Sequence, residues 1–402
     1  MTLLKRVATT GMAAGLAASL LTGAAADEAP APADWAAVEA AAKGQTVHWY
    51  AWGGESHIND FIAWVGDEVR ERYGVTVNHV KLSDTAEAVA RVLAETSAGK
   101  DKGGAVDLVW INGENFVSMK VNGLLYGGEW AHHLPNRALV DLDRYGAAIL
   151  TDFGVAVEGM QSPWGRAQLT MLYDAGRLAN PPRTLEGLMA FVEANPGRFA
   201  YPQPPDFVGT SFLKQLLLMS VPDPAVLRAP AGEDGEEIVK TLLLPVLERL
   251  HPHLWRSGRA FPVSVSDLRR LYADGEIDIA LTHNPNDGRA GVLAGTLPPG
   301  TEVTAFAQGS LGNVHFVAIP HNAAHKAGAM VVANFLLSPE AQSAKADPSV
   351  WGDPSVLALG ALDRDARALF GAEVDVGAPT LAEPHASWTP LIEAAWSEAF
   401  LQ

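Results

Sequence analysis

Two glutamates, Glu55 and Glu114, each stand just past an apolar run, where a folded sheet would present them on one surface. Held at a suitable separation they would form the acid and base of a hydrolase, but nothing in the sequence fixes that separation. The residues around them are better suited to holding a molecule than to transforming one. Trp52-Gly53-Gly54 offers an indole face for stacking or for a cation, and two glycines that leave backbone amides open. The alternative for Trp52 is a place in the core beside Trp49, which lies inside the apolar run. Asn112-Gly113-Glu114-Asn115-Phe116 offers side-chain amides and a carboxylate, or else makes a turn on which Phe116 packs. Gly209-Thr210-Ser211 offers hydroxyl and amide hydrogens to an anionic group, or else caps the apolar helix beginning at Phe212. Pro163-Trp164-Gly165 and Asn284-Pro285-Asn286-Asp287 are polar, restricted segments of the kind found at hinges and turns.

Catalytic motifs are absent. There is no G-x-S-x-G elbow, no G-x-G-x-x-G, no phosphate-binding loop and no H-E-x-x-H. His321 and His325 have i,i+4 spacing, but a metal needs three or four ligands and no third is evident, so they read as surface histidines. His132-His133 and the His251/His253 pair are equally unsupported. A binding module with no cofactor is therefore the first reading, and a secreted hydrolase using Glu55 or Glu114 is the alternative.

The elements that must position these residues alternate between strand and helix. Residues 46–52 form a strand, apolar on both faces. Ile58, Phe61, Ile62, Val65, Val69 and Tyr73 mark one face of a helix closed by Gly74. A strand at 75–80 follows, then a helix opened by Asp84 and Glu87, then a strand at 106–111. Such a βαβαβ unit implies parallel strands joined by right-handed crossovers. Strands at 168–173, 199–201, 277–282 and 312–319 repeat the pattern, with helices at 184–192, 212–219, 268–273 and 327–337. The last helix carries Ile392, Trp396 and Phe400.

The N-terminus reads as an export signal. Lys5 and Arg6 precede the apolar stretch Val7 to Leu21, and Ala24-Ala25-Ala26 form a small-residue cleavage site. With no cysteine anywhere, neither a disulfide nor a lipid anchor on a cysteine after the signal is possible. A freely diffusing periplasmic protein, working as a monomer, is expected. The sequence carries a net charge of −17, and losing the two signal cations makes the mature chain more acidic still. That charge disfavours nucleic acid and anionic membrane surfaces, and mildly favours cationic cargo. The mature length is comfortable for two lobes.

Five segments in order carry a resemblance: HWYAWGG at 48–54 with INDFIAWV after it, VDLVWINGENFVSMKVNGLL at 106–125, the stretch from Ser162 to Val192, LRRLYADGEIDIALTHNP at 268–285, and the stretch from Val314 to Gln342. In these the chain resembles a periplasmic solute-binding protein of an ABC importer, over nearly its whole mature length. Within that two-lobed class it resembles a YnjB-like branch labelled for thiamine import. The resemblance implies an α/β periplasmic-binding-protein fold (type II), each lobe a mainly parallel sheet flanked by helices, with crossing hinge segments near 161–166, 283–288 and 314–318. It implies a signal peptide at 1–26, lobe I at 27–163 plus 286–315, and lobe II at 164–285 plus 316–402. It also implies a small organic solute in the cleft, delivered to an inner-membrane ABC permease with its cytoplasmic ATPase. Matching the family's pocket puts Trp52, Gly53, Gly54, Asn112, Glu114, Asn115, Trp164, Thr210, Ser211 and Asn284 at the cleft. The tyrosine cluster expected of ferric-ion binders is missing. The acids that bracket a polyamine are not directly matched, although Glu55, Glu114 and Asp287 offer substitutes. A cationic, ring-containing cargo such as thiamine would suit Trp52 and Trp164 as stacking faces and Glu114 as counter-charge. Polyamine and sugar are the alternative cargoes.

Overall fold

The computed structural model describes residues 29–127, 129–374 and 376–401; the expected signal at 1–26 lies outside them. Strand β1 (Thr46–Trp52) buries Val47, Trp49 and Ala51 completely, while His48, Tyr50 and Trp52 on its other face are only half covered. Helix α1 (Ser56–Tyr73) returns the chain to β2 (Thr76–Leu82), which pairs with β1 in parallel. Strand β3 (Leu108–Ile111) adds to the other edge of β1, also in parallel, and leads straight into helix α2 (Gly113–Val121). The predicted βαβαβ unit is present, and its strands end where Trp52 and Asn112 begin the loops.

After a small hairpin of β4 (Thr151–Asp152) and β5 (Val155–Ala156), the chain crosses to the second lobe along β6 (Gln161–Gln168). It comes back along β10 (Ser310–Ala318), antiparallel to β6 and, at Phe316–Ala318, to β3. Between these crossings lie β7 (Thr170–Asp174), helix α3 (Phe207–Ser220), helix α4 (Val265–Ala273), β8 (Ile279–Thr282) and β9 (Thr301–Thr304). Helix α5 (Lys326–Leu336), strand β11 (Thr380–Ala382) and helix α6 (Trp388–Phe400) complete the described elements used below.

Strand direction in the second lobe departs from expectation. β7 is the central strand of its sheet and runs antiparallel to both β8 and β9. The helix at 287–293 makes β8 and β9 a crossover pair, parallel to each other, and β7 slots between them as it arrives from the other lobe. In the first lobe β1, β2 and β3 are parallel, as expected, and β10 joins them antiparallel.

Packing also corrects the expected division of the chain. Leu297, Phe306 and Leu311 pack with Leu172, Phe212 and Trp396 in the second core, so 286–311 belongs with lobe II. Residues from Val314 to Leu357 pack with Trp49 and Phe61 in the first core. The reason is β10: once it pairs with β3, helix α5 must fall back on the face of β1, where the Gly328 N–H donates to Gln45 Oε1 at 2.8 Å. A third crossing, between Leu357 and Trp388, carries α6 back to the second core.

Candidate functional site

A cleft of about 260 Å³ lies between the lobes, at the carboxyl ends of β1, β3 and β8. Trp52, Asn112, Glu114 and Asn115 form its wall on one side, and Asn284 lies on the other. Glu55 also reaches the cleft. It accepts a hydrogen bond from Ser266 Oγ of α4 at 3.0 Å, so the two lobes touch across the mouth.

Five expected contacts sit elsewhere. Gly53 spends its amide on the Leu82 carbonyl at 3.0 Å, which leaves no donor for a ligand. Gly54 lies beneath the Trp52 indole, where a Cβ would come within 2.2 Å of the ring. The glycine therefore makes room for the tryptophan to fold over. Trp164 is completely buried, with ring centroids 4.9 Å from Trp110, 5.5 Å from Trp351 and 5.6 Å from Trp49. It is a core residue of the crossing strand. Thr210 and Ser211 are buried within α3, because that helix starts at Phe207 rather than after Ser211. Thr210 Oγ1 donates instead to Glu393 Oε1 at 2.7 Å.

The early start of α3 has a legible cause. Asp206 accepts from the Val208 and Gly209 amides at 2.9 and 3.1 Å, which is N-capping by an aspartate directly after Pro204-Pro205. This cap places Phe207 at the first helical position, 38% exposed and on the cleft wall. Sequence reasoning missed Phe207, although an aspartate before an apolar run was the available signal. It also missed Trp110 and Trp351, which no local pattern marks, and His283. The His283 ring stands 5.0 Å from Phe207, and neither ring nitrogen has a hydrogen-bond partner. Burial holds this imidazole well below its ordinary value, at about 3, so it is neutral at physiological pH.

Charge in the cleft is unbalanced. Arg269 is tied to Asp287, and Asp353 is held by Lys345 and by His315 Nε2 at 2.9 Å. Burial pushes the Asp353 carboxyl up, but those two neighbours outweigh it and leave it below the usual carboxylate range. Glu55, Asp84 and Glu114 remain with no cationic partner among the described lining residues. Glu114 Oε2 is shielded from solvent and accepts no hydrogen bond. A buried unsatisfied oxygen costs about 1–3 kcal/mol, which a donor on a ligand would recover. Among the described residues no three His, Asp or Glu side chains converge as a metal would require. His325 pairs with Asp107 at 3.1 Å, and His321 Nδ1 lies 3.3 Å from the Leu124 carbonyl oxygen.

Behind Glu114, the Gly113 N–H donates to Asp152 Oδ1 and Gln161 Nε2 donates to Oδ2, both at 2.8 Å. Burial raises the Asp152 carboxyl to about 7, against the pull of these two donors. The fold therefore favours its protonated form. Stability from this group is full below the unfolded value near 4 and is lost as pH rises through about 7. Asp152→Asn keeps an acceptor for the Gly113 N–H and, once the Gln161 amide turns over, donates to Gln161 Oε1, which has no partner in the native arrangement. It should raise the melting temperature at pH 8 and change it little at pH 4, measured by calorimetry.

Residues 64–358, more than half of the chain, match bacterial extracellular solute-binding proteins. The chain belongs to that family. Protein YnjB of Escherichia coli K12 is 44% identical over 364 residues, covering 90% of this chain and 93% of that protein. Among solved structures, a Listeria monocytogenes protein described as a spermidine/putrescine ABC transporter superposes with a TM-score of 0.60 at 14% identity, covering 89% of this chain and 98% of its own. The periplasmic protein AfuA of Actinobacillus pleuropneumoniae, with fructose 6-phosphate bound, gives 0.61 at 13% identity, covering 89% and 99%. These likenesses establish the type II periplasmic-binding fold. The role of this family is to bind a solute outside the cytoplasm rather than to transform it. Among the described residues no helix is long and apolar enough to cross a membrane.

Proposed function

We propose that this solute-binding protein is exported to the periplasm by residues 1–26 and works there as a monomer. Its cargo is a small, cationic, ring-bearing organic solute, of which thiamine is the model. The observation that carries this reading is the cleft itself. Among the described lining residues no cation pairs with Glu55, Asp84 or Glu114, and Trp52, Trp110 and Phe207 present aromatic surface beside them. A cation gains from both features, because carboxylates supply counter-charge and ring faces attract it through their quadrupoles. Trp52, Asn112, Glu114, Asn115 and Asn284 are the proposed contacts, together with Phe207. Gly53, Gly54, Trp164, Thr210 and Ser211 support the walls instead.

An anionic cargo fits poorly, since Arg269 is already committed to Asp287. Polyamines satisfy the charge, and their aliphatic chains gain less from the rings. Isothermal titration with thiamine tests the reading. Phe207→Ala should weaken binding by about 1–3 kcal/mol, roughly 5- to 150-fold, if the ring is a ligand face. Unchanged affinity would remove Phe207 from the site, and absence of thiamine binding in the unmodified protein would remove thiamine as the model cargo.

A further inference from the structure

The closed back of the cleft holds more negative charge than its one ammonium can balance, and that charge comes from both lobes. Glu114 on α2 and Asp152 on β4 belong to the first lobe; Glu383, just after β11, and Glu393 on α6 belong to the second. Lys214 of α3 sits among them, its Nζ 3.6 Å from Glu383 Oε2. The same ammonium stands 4.3 Å above the ring of Phe153, which the β4–β5 hairpin pushes across from the first lobe. The hairpin is anchored on both sides. Asp152 holds Gly113 and Gln161, while the Ala386 N–H donates to the Phe153 carbonyl at 2.9 Å. Phe153 has a φ of +43° and lies directly over Gly113, where a Cβ would be 2.8 Å from its ring. Lobe position and the Asn112–Glu114 loop are thus mechanically joined at this hairpin.

We propose that this floor is a proton-operated pivot: bringing the lobes together takes up protons on the carboxylates facing one another across it, and losing those protons drives the lobes apart. Asp152 and Glu383 are buried and Glu114 and Glu393 half-buried, so crowding these four carboxylates around one ammonium disfavours full ionisation. The other charged or titratable groups nearby do not relieve the imbalance. Asp84 and Asp206 add negative charge at the edge, while burial shifts the His385 imidazole beside the hairpin below its ordinary value and holds His283, near Lys214, neutral. Arg228 reaches the region only through the second cavity behind Glu383. His315 is engaged by Asp353. Burial raises Glu383 and Glu393 as it does Asp152, in each case against the pull of hydrogen-bonding partners. Proton uptake therefore favours the closed arrangement, and closure weakens as pH rises through neutrality. This pivot does not depend on what the cargo is.

Small-angle X-ray scattering of the ligand-free mature protein between pH 5.5 and 8.5 tests it. The radius of gyration should grow as pH rises, with the change centred near neutrality. In Glu383→Gln/Glu393→Gln the growth should be abolished, the protein staying compact at both ends of the range. A pH-independent radius in the unmodified protein overturns the proposal, as does an unaltered response in the double variant. If circular dichroism shows that the double variant is misfolded, the single Glu393→Gln variant, at the more open edge, should reduce the amplitude. An unreduced amplitude there overturns the proposal equally.

Discussion

Replacing Trp164 with alanine should destabilise the protein by about 3–5 kcal/mol, as loss of a large aromatic from a filled core does. The indole has no exposed surface and lies among Trp49, Phe61, Trp110 and Trp351 on the strand that carries the chain between lobes. No small residue can fill that volume without moving four neighbouring rings, two of which line the cleft. Urea unfolding followed by circular dichroism would show the loss, and Trp52→Ala is the control. Trp52 is only half buried and should change stability far less while changing cargo affinity. A Trp164→Ala protein of undiminished stability that had lost only its ligand would return Trp164 to the binding wall.

Glu114→Gln is expected to weaken binding of a cationic cargo by about 2 kcal/mol, roughly 30-fold, by removing charge without changing shape. Glu114 lies in the first turn of α2, where the helix dipole stabilises a carboxylate, and its Oε2 is closed to water with no donor in reach. Such an oxygen gains more from a ligand donor than one already hydrated. Titration calorimetry with the best-binding cation should show the loss, and a neutral cargo analogue should be indifferent to the change. Equal loss for charged and neutral ligands would mean that Glu114 shapes the loop and does not pair with charge.

Much of the first lobe was legible in the sequence because its signals are local. Hydrophobic periodicity and glycine stops marked β1, α1, β2 and β3, and strand ends then placed Trp52 and Asn112–Asn115 at a surface. What failed depended on distant partners. Trp52 and Trp164 both sit beside glycine in polar surroundings, yet only Trp164 is ringed by tryptophans from β1, β3 and the 351 turn. Nothing near either residue distinguishes them. The direction of β7 was equally hidden, since parallel and antiparallel strands buried on both faces carry the same apolar run. The exchange of 286–311 and 314–357 between lobes follows from β10 pairing with β3, a contact between residues some two hundred positions apart. The start of α3 is different: Asp206 announced it, and the error came from weighing Gly209-Thr210-Ser211 as the cap.

The most direct test of a cation-binding cleft is the thermal stability of the mature protein against a matched set of ligands. Thiamine, spermidine, a neutral hexose and fructose 6-phosphate would each be added at millimolar concentration and melting followed by fluorescence. A ligand at 100 times its Kd stabilises by about 2.7 kcal/mol, which such melting resolves readily. The cleft described here requires that the cations raise the melting temperature, the ring-bearing one most, and that the sugar phosphate does not. Stabilisation by fructose 6-phosphate with none from either cation would contradict it.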